Sequence, residues 1–305
     1  MPMFYYCVLL KLLAKLPNTM DKSKIENVVE FINTKLKAEL GAKLESVYLV
    51  GSYPQGAISL ARPDINWLLI WKNFISGEGL WQLGTILTSA ISSFENDFTV
   101  RPEFRPFKFS CPVNDTGSKD EVFVSIAFAF AATTEEKFKK VNSSIPEYVL
   151  DGFKASRKLV LGNDILANMN FVTTKQSILN SARDKIMSHH KIQLDRVPLT
   201  YHQEKQTSLI FNEAFSHGKN LLYFAVEILM SDEELARKDY LKLYGEKGKL
   251  LSYIKAHLPE AEESAIRILE AREHYPEWKN QGNRAKEIYL ASSKLANILL
   301  REITR

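Results

Sequence analysis

Two short stretches of the chain carry residue types suited to handling phosphate and metal. In the first, Gly51-Ser52-Tyr53-Pro54-Gln55-Gly56 follows the apolar run Val47-Tyr48-Leu49-Val50. In the second, Pro63-Asp64-Ile65-Asn66 opens onto Trp67-Leu68-Leu69-Ile70, and Asp64 comes 13 positions after Gly51. Gly51 has no side chain to keep a phosphate away from the backbone. The N–H groups of a tight turn that leads into a helix favour an anion. Pro54 stands where a first helical turn tolerates proline, so a short helix is expected to start there. Ser52 adds a hydroxyl donor, and Tyr53 and Gln55 flank the turn as further nucleotide contacts. Asp64 and Asn66 lie two residues apart on an extended run and therefore share a face. Oxygen ligands at that spacing can hold Mg²⁺ together with triphosphate oxygens. Two such ions about 3.5–4 Å apart can activate an attacking oxygen and stabilise a departing pyrophosphate.

The elements that must position these groups are legible in the hydrophobic pattern. Residues 21–40 read as a helix, with Asp21 as its cap and Ile25, Val28, Val29, Ile32, Leu36 and Leu40 at three- and four-residue steps. Residues 44–50 and 65–71 are strand-like, 80–94 returns to helical spacing, and 122–130 is a strongly apolar strand. Residues 98–109 are aromatic and broken by Pro102 and Pro106, which suits strands at an edge or kink. After residue 174 no strand-like run remains, and amphipathic helices are expected over 174–190, 204–231, 232–244, 248–257, 259–274 and 283–303. Strands followed by helices imply an α+β chain. The expected division is an N-terminal amphipathic extension (1–20), a sheet-containing domain (21–173) and a helical bundle domain (174–305).

Bulk properties narrow the class. The 305 residues are 45% hydrophobic and 25% charged, as in an ordinary globular protein. Cys7 and Cys111 cannot make a disulfide framework and show no metal-ligand spacing, which points to a reducing cytoplasm. A net charge of +4 is compatible with a nucleotide partner and leaves nucleic acid open. Residues 4–16 are apolar but short and interrupted by Lys11 and Lys15, so no membrane span is expected.

The two motifs resemble the nucleotidyltransferase superfamily, which includes aminoglycoside adenylyltransferases, poly(A) polymerases and small nucleotidyltransferases of toxin–antitoxin systems. The shared pattern is a hydrophobic strand, Gly-Ser, a basic residue and Gly, then Asp-x-Asp on the next strand and a third carboxylate on a later one. The likeness covers residues 47–70 and extends more loosely through 122–130. Leu159-Val160-Leu161-Gly162-Asn163-Asp164 is similar to a Leu-x-Gly-x-Asp element that closes the catalytic domain in bacterial members. The resemblance implies a mixed sheet with flanking helices followed by a helical bundle, and a nucleoside triphosphate as ligand or substrate. It also implies Mg²⁺ at Asp64 and Asn66, with Asp64, Asn66 and Ser125 at the catalytic positions. The acceptor would be a small molecule or a protein.

The sequence departs from that pattern at three places. Asn66 stands for the second aspartate, Gln55 for the basic residue, and Ser125 for the third carboxylate, with Asp120 and Glu121 only at the start of that strand. Asn keeps an oxygen but loses a charge, and Ser loses the charge and most of the reach, so the hold on a divalent ion weakens. The expectation is a nucleotide-binding pseudoenzyme with a degenerate metal site and weak or lost nucleotidyl transfer to a hydroxyl. One alternative is an active Mg²⁺-dependent, adenylyltransferase-like enzyme. Another is a toxin–antitoxin or RNA-linked protein whose helical part binds a partner.

Other candidates read as structural. Arg183 and His189 fit a loose Arg-x(4–6)-His ribonuclease pattern but sit on a solvated helix face. His189-His190 are adjacent, so on a helix they face apart and make no metal pair. Trp67 and Trp71 lie opposite Asp64 and Asn66 and are expected in the core, as are Leu221, Leu222, Phe224, Ala225, Ile228 and Leu229. Lys219 and Lys255 could reach phosphates from the helical part, with nothing to single them out.

Overall fold

The computed structural model describes residues 20–104, 109–110, 120–145 and 147–172, parts of 174–187, and residues 207–229 and 247–304. Residues 1–19 of the N-terminal extension with Cys7, and also Cys111, the His189-His190 pair and the expected helix over 232–244, lie outside them.

Helix α1 (Lys22–Lys35) starts where Asp21 accepts the Ser23 N–H at 2.9 Å, and runs on as a wider turn over Leu36–Leu40. Its apolar stripe, from Ile25 to Leu40, is buried as the spacing requires. Strand β1 (Leu44–Val50) pairs antiparallel with β2 (Asp64–Trp71). Helix α2 (Gly77–Phe94) begins at a Ser76 cap. Then come β3 (Thr99–Phe104), the two-residue β4 (Phe109–Ser110) and β5 (Glu121–Phe130). Among the described residues Pro102 has no outer partner, since β4 pairs with Glu103 and Phe104. Two helices absent from the sequence reading, α3 (Glu135–Val141) and α4 (Glu147–Ser156), precede β6 (Lys158–Gly162).

The six strands form one mixed sheet in the order β4-β3-β5-β2-β1-β6, with β5 parallel to both β2 and β3. One face, with Val47, Leu49, Ile65, Trp67, Leu69 and Trp71, is covered by α1 and α2. Both tryptophans are core, and the Trp67 indole donates to Asn33 Oδ1 at 2.9 Å. The other face is divided. Toward its β1–β2 centre, Tyr48, Val50, Leu68 and Ile70 pack under Phe138 of α3 and Leu150 of α4. Toward β5, Phe123 packs instead into the helical region.

That region comprises α5 (Thr207–Leu229), α6 (Lys247–His257), α7 (Glu262–Glu273), the short α8 (Tyr275–Trp278) and α9 (Gly282–Thr304). Leu221, Leu222, Phe224, Ala225 and Ile228 of α5 lie in its core, facing Leu269 and Leu295. Gly218 lets α5 come close to its neighbours. A Cβ there would stand 2.5 Å from Ser292 Oγ and 2.9 Å from Ile268 Cγ1. No helix among the described residues is long and apolar enough to cross a membrane.

The helix expected at Pro54 does not form. Residues 52–56 make turns, closed by Gly56 N–H on Tyr53 O at 3.0 Å and Ala57 N–H on Ser52 O at 2.9 Å. Gly56 has φ +71°, a left-handed conformation that a right-handed helix cannot pass through. The turn therefore lacks the helix dipole that the sequence suggested for it.

Candidate functional site

The alternation of β2 and β5 fixes the site. Asp64 and Asn66 point to the divided face of the sheet. Asn66 is in register with Ser125, and Asp64 with Phe123. Asp64 Oδ1 accepts the Ser125 hydroxyl at 3.1 Å. Val50 is in register with Asn66, so the turn after β1 begins beside it. A Cβ on Gly51 would lie 3.5 Å from Asn66 Nδ2. Gly51, Asp64, Asn66 and Ser125 thus meet at one place.

The remaining turn residues do not converge there. Tyr53 packs against the α1–α2 side of the sheet, and that burial, the larger effect beside the Glu26 charge, raises its hydroxyl pKa. Gln55 is exposed, and Ser52 is half-buried. The Gly51 N–H, a natural phosphate donor, is held by Ser156 Oγ at 2.9 Å, and the Ser156 hydroxyl in turn donates to Gly152 O at 2.8 Å.

Two cations dominate its electrostatics: Lys219, which the sequence offers with Lys255 as a reach toward phosphate without singling it out, and Arg62, which it does not offer. Lys219 Nζ of α5 donates to Asp64 Oδ2 at 2.9 Å, with only 13% and 11% of the two side chains exposed. Arg62 Nη1 lies 3.9 Å from the same oxygen. The Arg62 guanidinium lies 3.7 Å from the centre of the Phe123 ring, and its Nη2 donates to Asn212 Oδ1 at 2.7 Å. Tyr275 adds its hydroxyl to Asn212 Oδ1 at 3.2 Å. The Tyr275 hydroxyl is pushed well above its ordinary pKa, first by burial and then by the Glu121 charge, so it remains a donor. Asn212, Phe215 and Lys219 fall at i, i+3 and i+7 and so make one stripe of α5. That polar interruption of an apolar helix face, and the position of Arg62 two residues before Asp64, are the signals that could have found both cations.

A second clasp lies farther along the same strands. Glu121, two residues before Phe123, takes Lys279 Nζ at 2.8 Å and pairs with Arg101 of β3. Among the expectations judged structural, Arg183 contacts its neighbour Asp184 at 3.3 Å on an exposed face, and Lys255 pairs with Glu262 at 2.9 Å. Asp164 is held by Arg157 through two contacts, 2.8 Å and 2.9 Å, which lower its pKa.

These donors can be tested against a divalent ion. The set holds one carboxylate, one amide oxygen and one hydroxyl, and among the described residues no group of three or more His, Cys, Asp or Glu could hold a metal. Asp64 is engaged on both oxygens. At an effective dielectric of about 20, a dication about 4 Å from an ammonium is opposed by about 8 kcal/mol. As arranged, the residues do not fit a pair of magnesium ions. Asn66 Oδ1 is different, a buried acceptor with no hydrogen-bond partner among the described residues. Glu103 of β3 stands at the register position beside Ser125, a carboxylate-bearing residue that the sequence reading missed.

No protein-family model and no curated protein matches the chain. A solved structure does: spectinomycin adenyltransferase from Enterococcus faecialis, determined with ATP and spectinomycin, superposes with a TM-score of 0.50 at 14% identity, over 90% of this chain and 98% of that one. The likeness establishes a nucleotidyltransferase-like fold, a mixed sheet with flanking helices and a C-terminal helical region.

Proposed function

We propose that the chain is a nucleotide-binding relative of nucleotidyltransferases in which metal-dependent transfer is weak or lost. The observation that carries this reading is the state of Asp64, the one carboxylate of the expected three, whose two oxygens are held by Ser125 and Lys219. Gly51 and Asn66 border the place for phosphate, and Ser52 and Gln55 would have to come to it from the turn beside them, whereas Tyr53 packs on the opposite side of the sheet. Asn66 Oδ1, a buried acceptor without a partner among the described residues, supports a ligand that brings a donor, such as a ribose hydroxyl or a base amine. The solved relative was determined with ATP and a small molecule, which supports a nucleotide here and a small-molecule acceptor in the cleft between the sheet and the helical region. In this reading residues 21–173 form the nucleotidyltransferase-like part, residues 174–305 the helical part, and the protein works in the cytoplasm.

Calorimetry with the four ribonucleoside triphosphates, together with an assay of pyrophosphate release, tests the proposal. Measurable binding with release no faster than background is expected. Failure to bind any of the four would sink it. A second reading, an active Mg²⁺-dependent transferase, is favoured by the register of Glu103 beside Ser125 and Asn66. Rapid release that Glu103→Gln abolishes would establish that alternative instead.

A further inference from the structure

The cation beside Asp64 belongs to the protein. Lys219 Nζ takes the carboxylate oxygen that a divalent ion would otherwise take, at 2.9 Å. Its side chain is about as buried as that of Asp64. The helix that carries it is set by close packing at Gly218, the neighbouring residue, against Ser292 and Ile268. Arg62 adds a second positive group, held by Asn212 at 2.7 Å and stacked on Phe123. Both are built features of the interface between the sheet and α5, in contrast to lysines that swing freely on a surface.

We propose that this site takes its triphosphate as the metal-free polyanion, with Lys219 and Arg62 supplying the counter-charge that a divalent ion supplies in metal-dependent transferases. The proposal rests on the nucleotide-binding reading above. Lys219 and Arg62 outnumber the single carboxylate of Asp64, so the cluster keeps a net positive charge toward a free triphosphate, and charge-assisted hydrogen bonds to phosphate are short and strong. The Mg²⁺ complex of the same nucleotide has part of its phosphate charge neutralised, and its dication has to approach the ammonium and the guanidinium. Like charges brought together in a largely desolvated site discriminate strongly against the wrong partner. The site therefore selects between two forms of one nucleotide, and Mg²⁺ in solution acts as a competitor for the ligand.

The test is ATP affinity by calorimetry in EDTA and then across a Mg²⁺ titration, on the full chain. In the wild type, excess Mg²⁺ should weaken binding at least about tenfold. Lys219→Gln should lose about tenfold or more of the metal-free affinity and lose the Mg²⁺ penalty, while Lys219→Arg keeps most of both. Mn²⁺ added alone, followed by the electron paramagnetic resonance of the free ion, should bind Lys219→Gln more tightly than wild type, because Asp64 Oδ2 is released. The wild-type titration needs no variant, so a fold defect in Lys219→Gln leaves the proposal open to refutation. Tighter wild-type binding with Mg²⁺ overturns it while leaving the nucleotide reading intact. Unchanged metal-free affinity in a folded Lys219→Gln overturns it too. No binding in either condition defeats the nucleotide reading itself.

Discussion

The turn after β1 and the carboxylate row at the start of β2 meet where Gly51 adjoins Asn66, and they are held in different ways. The turn is a local structure. Its shape comes from two left-handed glycines, Gly51 at φ +82° and Gly56 at φ +71°, and from hydrogen bonds within residues 52–57. Among the described residues its ties from afar are the hydrogen bond of its first N–H to Ser156 and the packing of Tyr53 on the α1–α2 core. The carboxylate row is a long-range structure. Asp64 depends on Ser125, 61 residues away, and on Lys219, 155 residues away. The half that looks most like a phosphate site is therefore shaped largely by neighbours in the chain, whereas the half where a metal is expected is held by Lys219 of the helical region.

The sharpest way to break this comparison is at the Lys219–Asp64 pair. Removing one partner of a buried pair costs about 3–5 kcal/mol. Asp64 keeps Ser125 and has Arg62 nearby, so Lys219→Ala is expected to lose about 3 kcal/mol of unfolding free energy, read by denaturant titration. The double variant Asp64→Asn, Lys219→Met should then be far less unstable than the sum of its singles, with a coupling of about 2 kcal/mol. Additive losses would mean that the row is no more dependent on α5 than the turn is.

Next in size is the turn itself. Gly51→Ala places an L-residue at φ +82°, a strain of about 1–2 kcal/mol. The new Cβ would meet only Asn66 Nδ2, at an ordinary 3.5 Å, so the loss is confined to the backbone. It should leave the coupling between Asp64 and Lys219 unaltered. A changed coupling energy would show that the two halves act as one unit.

The same contrast explains what could be seen in the sequence. Strands β1, β2 and β5 were legible because each is a continuous or alternating apolar run, and α1 because Asp21 and its stripe mark both its start and its face. Ser125 is reached through the family resemblance, which puts a third carboxylate on that strand, and the parallel register of β2 and β5 sets it beside Asn66. Helix α3 escaped notice because its 7 residues bury only Phe138, too little for a period to register. The expected helix at Pro54 failed because the proline signal is permissive, whereas Gly56 is decisive. The sequence offers Lys219 with Lys255 as a lysine able to reach phosphate, and nothing local marks it among the 40 lysines and arginines as an ammonium that meets a carboxylate 155 positions earlier. Only its place on the stripe with Asn212 and Phe215 hints at a polar partner under an apolar helix face.

Ser156→Ala probes the long-range hydrogen bond of the turn. Loss of the hydroxyl should cost about 1 kcal/mol and leave the Gly51 N–H without its partner. If that N–H is a phosphate donor, triphosphate affinity should rise by a few fold although the folded state is weaker. Thermal shift with and without nucleotide measures both. Equal loss of stability and affinity would assign Ser156 to shaping the site and remove Gly51 N–H from the phosphate contacts.

The smallest effect is a pH dependence on the turn side alone. Ser156 is followed by Arg157, whose hydrogen bonds to Asp164 hold that carboxyl below its ordinary range despite an opposing effect of burial. A carboxylate with a depressed folded pKa contributes stability that is complete above its unfolded value of about 3.9 and is lost as pH falls through the lower folded value. The Asp164 side chain is 36% exposed, so solvent screens the pair and the contribution is small. Melting temperatures measured from pH 6 downward should therefore fall less steeply below about pH 4 in Asp164→Asn than in wild type. Because the segment that this pair pins carries Ser156, the acid loss should be accompanied by faster amide exchange at Gly51. Exchange at Asp64 and Ser125, fixed by other partners, should not follow it, and parallel loosening of both would erase the distinction between the two halves of the site.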